Sequence, residues 1–322
     1  MQAVLAVTVP FFALVLAGYL AARQHVLPES AIPGLNAFVL YFALPCMLMR
    51  FGMNTPVFEL LNPAVLAVYL ASALLIVFVA VATSLNERVA LKDAAFGALV
   101  AAFPNTGFMG VPLLVALLGP AAAGPVISTV LADLFVTSSV CIAISQMGGD
   151  HKGDSAAAAK RALKGALSNP LPWSIAAGAV LSVAGWKLPG PVDSVVAMLA
   201  AAATPVALFT IGAVLWRAGQ HTHTQTAVAD YVPVALIKLF VHPLLVFLLA
   251  VGARQLGAPL SGFQITVLTL AAALPSASNV SLLAERYGAD NGRIARIIMT
   301  STVLAFVSFS ALAWLFGVNP VS

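Results

Sequence analysis

Apolar runs of roughly twenty residues follow one another along almost the whole chain, each set off by a short polar or proline-bearing interval. A bilayer-spanning helix needs about 20 such residues. The runs are continuous and rich in Ala, Leu and Val, without the period-two alternation over about ten residues that marks a membrane β-strand. The pattern predicts an all-α polytopic membrane protein with ten transmembrane helices, near residues 3–22, 32–50, 63–85, 94–118, 122–147, 170–187, 192–216, 231–252, 261–284 and 294–316. The first run has no Lys or Arg before Arg23, so it is expected to be retained as a helix rather than cleaved as a signal. The longest polar interval, 148–169, separates two five-helix halves, 1–147 and 170–322.

Composition agrees and narrows the function classes. Hydrophobic residues make up 61% of the 322 positions and charged residues 8%, against about 45–50% and about 25% in soluble proteins. That excludes a cytosolic enzyme, a nucleic-acid module and a disordered chain. The 15 Lys and Arg are unevenly spread. With ten spans, Arg23, Arg88, Lys92, Lys152, Lys160, Arg161, Lys164, Arg217, Arg286, Arg293 and Arg296 fall on one side. Arg50, Lys187 and Arg254 fall on the other, and Lys238 lies inside a span. The basic side is cytoplasmic by the positive-inside bias, which puts both termini on the non-cytoplasmic side. Cys46 and Cys141 both lie in apolar runs and read as small buried hydrophobes rather than a disulfide or metal site.

The halves echo each other. Pro10 and Pro172, Pro45 and Pro205, Pro63 and Pro233, and Pro104 and Pro275 occupy matching places in successive spans. Five spans per half is odd, so the second half inserts upside down, giving an inverted repeat. Proline is common in membrane helices, but four pairs in register favour duplication.

Two matched spans are interrupted, the fourth at Phe103-Pro104-Asn105-Thr106-Gly107 and the ninth at Pro275-Ser276-Ala277-Ser278-Asn279. Proline removes a donor and blocks a carbonyl one turn back. Unwound backbone inside a membrane survives only when packed in protein or facing a water-filled cavity. Each break is expected to create a helix N-terminus, with free N–H groups and a partial positive charge, facing its counterpart near mid-bilayer. Such a pair suits a small carboxylate, with Asn105 and Asn279 capping the ends or donating to the ligand. Two proline kinks with no ligand are the plain alternative.

Asp133, Lys238 and His242 are the ionisable residues inside spans. A charge at a span centre costs about 2.5–3.5 kcal/mol on the insertion scale, so it is expected to face protein and have a partner. Lys238 and His242 are four apart and share a helix face. Asp133 is expected to approach one of them, and one of the three to bind a coupling proton or a substrate carboxylate. A snorkelling lysine, a core histidine and a structural aspartate are the alternatives. Two weaker signals are His221 with His223, a pair in a polar loop at a spacing that could hold a metal, and residues 153–165, whose helical spacing of basic residues fits a membrane-surface segment as well as it fits a plain solvated linker.

The run Pro104-Asn105-Thr106-Gly107-Phe108-Met109-Gly110-Val111-Pro112-Leu113 resembles the auxin efflux carrier family, which includes bacterial malonate-transporter-like proteins. Lys238-Leu239 with Pro243, and Leu274-Pro275-Ser276-Ala277-Ser278-Asn279-Val280, support the likeness, which extends over the whole chain. The resemblance implies the fold of bile-acid sodium symporters and sodium–proton antiporters. Spans one, two, six and seven would form a scaffold and dimer interface. Spans three to five and eight to ten would form a transport domain moving like an elevator. It also implies a bacterial-type inner (cell) membrane and a substrate site at Pro104, Asn105, Thr106, Gly107, Phe108, Pro275, Ser276, Ser278 and Asn279.

Together these readings point to a secondary carrier of a small mono- or dicarboxylate, with no catalytic residue, metal or organic cofactor. A proton is the expected coupling ion. Sodium is the alternative, because Thr106, Ser276, Ser278 and Asn279 could supply oxygens. An intramembrane enzyme lacks its motifs, with no Walker A, H-E-x-x-H or C-x-x-C run in the chain. A channel fits the paired breaks less well than alternating access does.

Overall fold

The computed structural model describes residues 1–56, 62–147, 167–220 and 226–320, apart from the side chain of Leu282. Most of the polar interval at 148–169, the whole 153–165 segment, and His221 with His223 lie outside the described residues. Every regular element among the described residues is a helix. They are α1 (Gln2–Arg23), α2 (Glu29–Asn54), α3 (Pro63–Ser84), α4 (Leu91–Ala102), α5 (Thr106–Leu118), α6 (Pro120–Gln146), α7 (Pro170–Ala184), α8 (Gly190–Gln220), α9 (Val228–Gln255), α10 (Gly262–Ala272), α11 (Val280–Arg286) and α12 (Asn291–Leu315). Seven of them, α1, α2, α3, α6, α8, α9 and α12, are long and apolar enough to cross a membrane. The other three expected spans correspond to shorter pieces: α4 followed by α5, the 15-residue α7, and α10 followed by α11.

Local chemistry sets the helix ends. Asn62 accepts from the N–H groups of Ala64 and Val65, and Asn169 from that of Leu171; each is followed at once by proline. Proline is suited to a first turn because its missing N–H is not needed there. Ser261 and Gln264 form a reciprocal capping box at α10.

Proline also shapes helix interiors. Pro45, Pro112 and Pro243 each follow a widened i→i+5 turn, at Val39–Ala43, Thr106–Gly110 and Ile237–Val241. A proline ring collides with the carbonyl four residues before it. Those carbonyls belong to Tyr41, Phe108 and Leu239, each within the widened turn, and the extra residue moves them aside. A fourth widened turn, Asp133–Thr137, has no such proline. There the backbone carbonyl of Asp133 accepts the Ser138 hydroxyl at 2.7 Å.

Four glycines govern how α1 packs on α8 and α2 on α7. Gly18 lies against the Phe209 carbonyl, and Gly212 against the Val15 carbonyl and Tyr19 amide. Gly178 lies against the Met49 carbonyl, and Gly52 against the Ile175 carbonyl and Ala179 amide. At all four a Cβ would have no room. Close approach through small residues is how membrane helices associate without a hydrophobic driving force. The two sets of contacts are the same set displaced: residues 15, 18, 19, 49 and 52 each have their counterpart 160 positions later.

Candidate functional site

The two interruptions meet. Between α4 and α5 the chain is unwound at residues 103–105, and between α10 and α11 at 273–279. The Asn105 N–H donates to the Pro275 carbonyl at 2.8 Å, and the Ala277 N–H to the Phe103 carbonyl at 3.0 Å. The segments run antiparallel there, with Pro104 opposite Ser276. Each break supplies what the other lacks.

In a continuous helix the Val100 carbonyl would accept from residue 104, but Pro104 has no N–H. The Ser276 hydroxyl takes that place at 2.7 Å. The Ser276 N–H in turn donates to the Ser301 hydroxyl of α12 at 3.2 Å. That leaves the Ala272 carbonyl, at the end of α10, without its helical partner. The Lys238 ammonium fills it at 2.5 Å. A cation at a helix C-terminus also meets the negative end of the helix dipole. Buried polar groups are thus paired across four helices, as a lipid environment demands.

The crossing is enclosed. Pro104, Asn105, Thr106, Phe108, Pro275, Ser276 and Ser278 are buried, while Gly107 and Asn279 are half-buried at its margins. The expected gap between two helix tips is replaced by direct backbone pairing. Asn105 and Asn279 do stand at the first positions before α5 and α11, but neither side chain caps its helix. Among the described residues neither amide enters a hydrogen bond. The breaks also differ in length. Asn105 directly adjoins the paired backbone, whereas Asn279 lies beyond a longer loop, because the second break unwinds six residues before its own asparagine.

Asp133, Lys238 and His242 come together, all fully buried, with a fourth residue the sequence reading missed. The Tyr69 hydroxyl of α3 donates to one Asp133 carboxylate oxygen at 2.7 Å. The Thr137 hydroxyl donates to the other at 2.9 Å. Lys238 Nζ lies 3.3 Å from His242 Nδ1, and His242 stacks obliquely near Tyr69, with ring centroids 6.1 Å apart. Among the described residues no ion pair joins Lys238 to Asp133. The expected approach of Asp133 therefore takes the form of a shared polar cluster, in which Lys238 is directed at the crossing. Among the described residues the buried His242 Nε2 atom has no hydrogen-bond partner. Thr137 was missed as well, although it stands one turn after Asp133, where a side chain can reach back along the helix. Tyr69 left only the faint signal of a polar tip inside an apolar span.

Arg293, read from sequence only as a cytoplasmic charge, is 2% exposed. Its guanidinium donates to the Asp230 and Asp93 carbonyls, both at 2.8 Å, and to the Ser84 hydroxyl at 3.2 Å. Gly97 leaves it room: a Cβ there would lie 2.5 Å from the Arg293 Nη1 atom. The network ties together the ends of α3, α4, α9 and α12 that lie beside the Asp93 and Asp290 pairing.

The model of a family described as "Membrane transport protein" matches residues 3–313. A Rhizobium meliloti (strain 1021) protein named "Putative malonate transporter" is 28% identical over 98% of this chain and 96% of its own length. The "Uncharacterized transporter YfdV" of Escherichia coli (strain K12) is 25% identical over 97% of both chains. An "Uncharacterized transporter" of Methanothermobacter thermautotrophicus is 26% identical over 92% of both.

Proposed function

We propose, from the fact that this chain belongs to the Membrane transport protein family and is a multi-pass membrane protein, that it is a secondary carrier of a small organic anion, malonate-like in size and charge. The carrying observation is the mutual hydrogen bonding of two unwound segments deep in the helical bundle. A simple kink needs no second break, whereas this crossing is held by two backbone bonds, with the uncommitted Asn105 amide at it and that of Asn279 at its margin.

In this reading the chain crosses the membrane ten times, with the pieces α4–α5 and α10–α11 each making one crossing. The glycine contacts displaced by 160 positions support an inverted repeat. Helices α1, α2, α7 and α8 form a scaffold through which two copies pair. Helices α3–α6 and α9–α12 carry the crossing from one face to the other. Asn105 and Asn279 donate to the substrate carboxylate, with Thr106, Gly107, Phe108, Ser276 and Ser278 around it. The Tyr69–Asp133–Lys238–His242 cluster holds the coupling proton, and Lys238 carries the effect of its charge to the end of α10. The protein sits in a bacterial-type inner membrane with both termini on the non-cytoplasmic side, and it transports without catalysis.

Purified protein in liposomes loaded with unlabelled malonate should accumulate labelled malonate transiently, and more so with an inward proton gradient than with a sodium gradient. A flux that is indifferent to unlabelled malonate on the far side would identify a channel. Flux that follows sodium alone would remove the proton from the reading.

A further inference from the structure

We propose that a cleft of about 220 Å³ between the ends of α8, α9 and α12 binds the phosphate of an anionic phospholipid headgroup. It is lined by Gly219, Tyr231, Ala295, Arg296, Met299 and Thr300 and lies apart from the crossing. The site does not depend on what the protein transports.

Its depth fits a headgroup. Gly219 is the last residue but one of α8, and Tyr231 lies in the first turn of α9. Arg296 lies five residues into α12, a rise of about 7.5 Å from the helix start. In the ten-span topology proposed above, on which this placement rests, the cleft opens near the ends of its helices, the level at which tyrosine and arginine gather in membrane proteins. The guanidinium is positioned rather than loose: it stands over the Tyr231 ring, 6.0 Å from its centroid, and donates to the Thr226 carbonyl at 3.3 Å. An oriented guanidinium suits phosphate oxygens, and Thr300 adds a hydroxyl on the same wall. Ala295 and Met299 make the remaining wall apolar, which suits the glycerol and first acyl carbons of a lipid better than a free phosphate ester. Basic pockets between transmembrane helices on the cytoplasmic side are recurrent sites for such headgroups. Because the cleft joins α8 to α9 and α12, a lipid seated there bridges helices that come from both groups of the fold.

Native mass spectrometry of the full chain, offered phosphatidylglycerol, phosphatidylcholine or glycerol 3-phosphate, tests the assignment. The wild type should retain one phosphatidylglycerol in preference to phosphatidylcholine. Arg296→Gln should lower that occupancy at least fivefold, Arg296→Lys less, and Tyr231→Leu about threefold. Retention by Arg296→Gln equal to the wild type, or equal retention of the two lipids by the wild type, overturns the proposal. Displacement of the lipid by glycerol 3-phosphate at equal concentration overturns the lipid and leaves a soluble phosphate ester. Should Arg296→Gln fail to fold, Tyr231→Leu and Thr300→Val decide by the same readout, and unchanged retention in both rejects the site.

Discussion

The α1–α8 and α2–α7 pairs are joined by absence of side chains, and the α3–α6 and α9–α12 bundle by abundance of polar ones. In the pairs, backbones touch at Gly18, Gly52, Gly178 and Gly212. In the bundle, Ser276, Ser301, Lys238, Tyr69, Asp133 and Arg293 thread hydrogen bonds among helices whose ends or breaks leave backbone groups unpaired. Both solve the problem of association in lipid, where apolar surface gains nothing by leaving acyl chains. The lesson is that glycine crossings fix a rigid distance, whereas a network of exchangeable donors can be rearranged.

The sharpest way to break the contrast is at a glycine. Gly212→Leu forces α1 off α8 and should cost about 3 kcal/mol or more, seen as loss of the monodisperse peak on size-exclusion chromatography. Gly52→Leu, its counterpart 160 positions earlier, should fail in the same way. Gly190→Ala, with open space around it, should behave as the wild type. A mild phenotype at Gly212 would dissolve the distinction.

Within the polar bundle, Arg293→Met should cost about 3 kcal/mol, because buried carbonyls and hydroxyl lose a charged donor; thermal unfolding followed by tryptophan fluorescence would report it. Asn105→Ala should leave the melting temperature within a few degrees while lowering malonate counterflow about 10- to 100-fold. That is the range of one hydrogen bond to a charged group, about 1.5–3 kcal/mol. An equal loss of stability and flux would make Asn105 a structural residue. Asp133→Asn should flatten the dependence of uptake on pH between 5.5 and 8.5. Tyr69→Phe should be the mildest, about 1 kcal/mol in stability, with a displaced pH profile. An unaltered profile in Asp133→Asn would take the proton out of the cluster.

Much of this was legible in the chain because lipid is a severe solvent. A run of about twenty apolar residues has few alternatives to a helix, and the expected helix positions differ from the observed ones by a few residues at most. The motif around Pro104 was legible for the same reason: a proline with asparagine and glycine cannot continue a helix. The family is shown separately, by a transport-protein model that matches residues 3–313. Ser276 was expected at the substrate site from its place in the break; its bond to the Val100 carbonyl could not be read there. Lys238 was expected near an ion site from its place inside a span; its bond to the Ala272 carbonyl at the end of α10 could not be read there. The partners in both cases are distant in sequence, 176 and 34 positions away. Periodicity within one span carries no record of them.

Hydrophobic lengths, proline positions and the placement of lysine and arginine thus determined, from sequence alone, that the protein is helical, membrane-embedded and twice interrupted, because each of those properties is a cost levied locally on every residue exposed to lipid. Only the tertiary structure decided that the interruptions close on each other and that Tyr69 belongs with Asp133. It also decided that Arg293 is buried at a junction of four helices. Those outcomes depend on which unpaired backbone groups and buried charges come within hydrogen-bonding distance once the helices have packed.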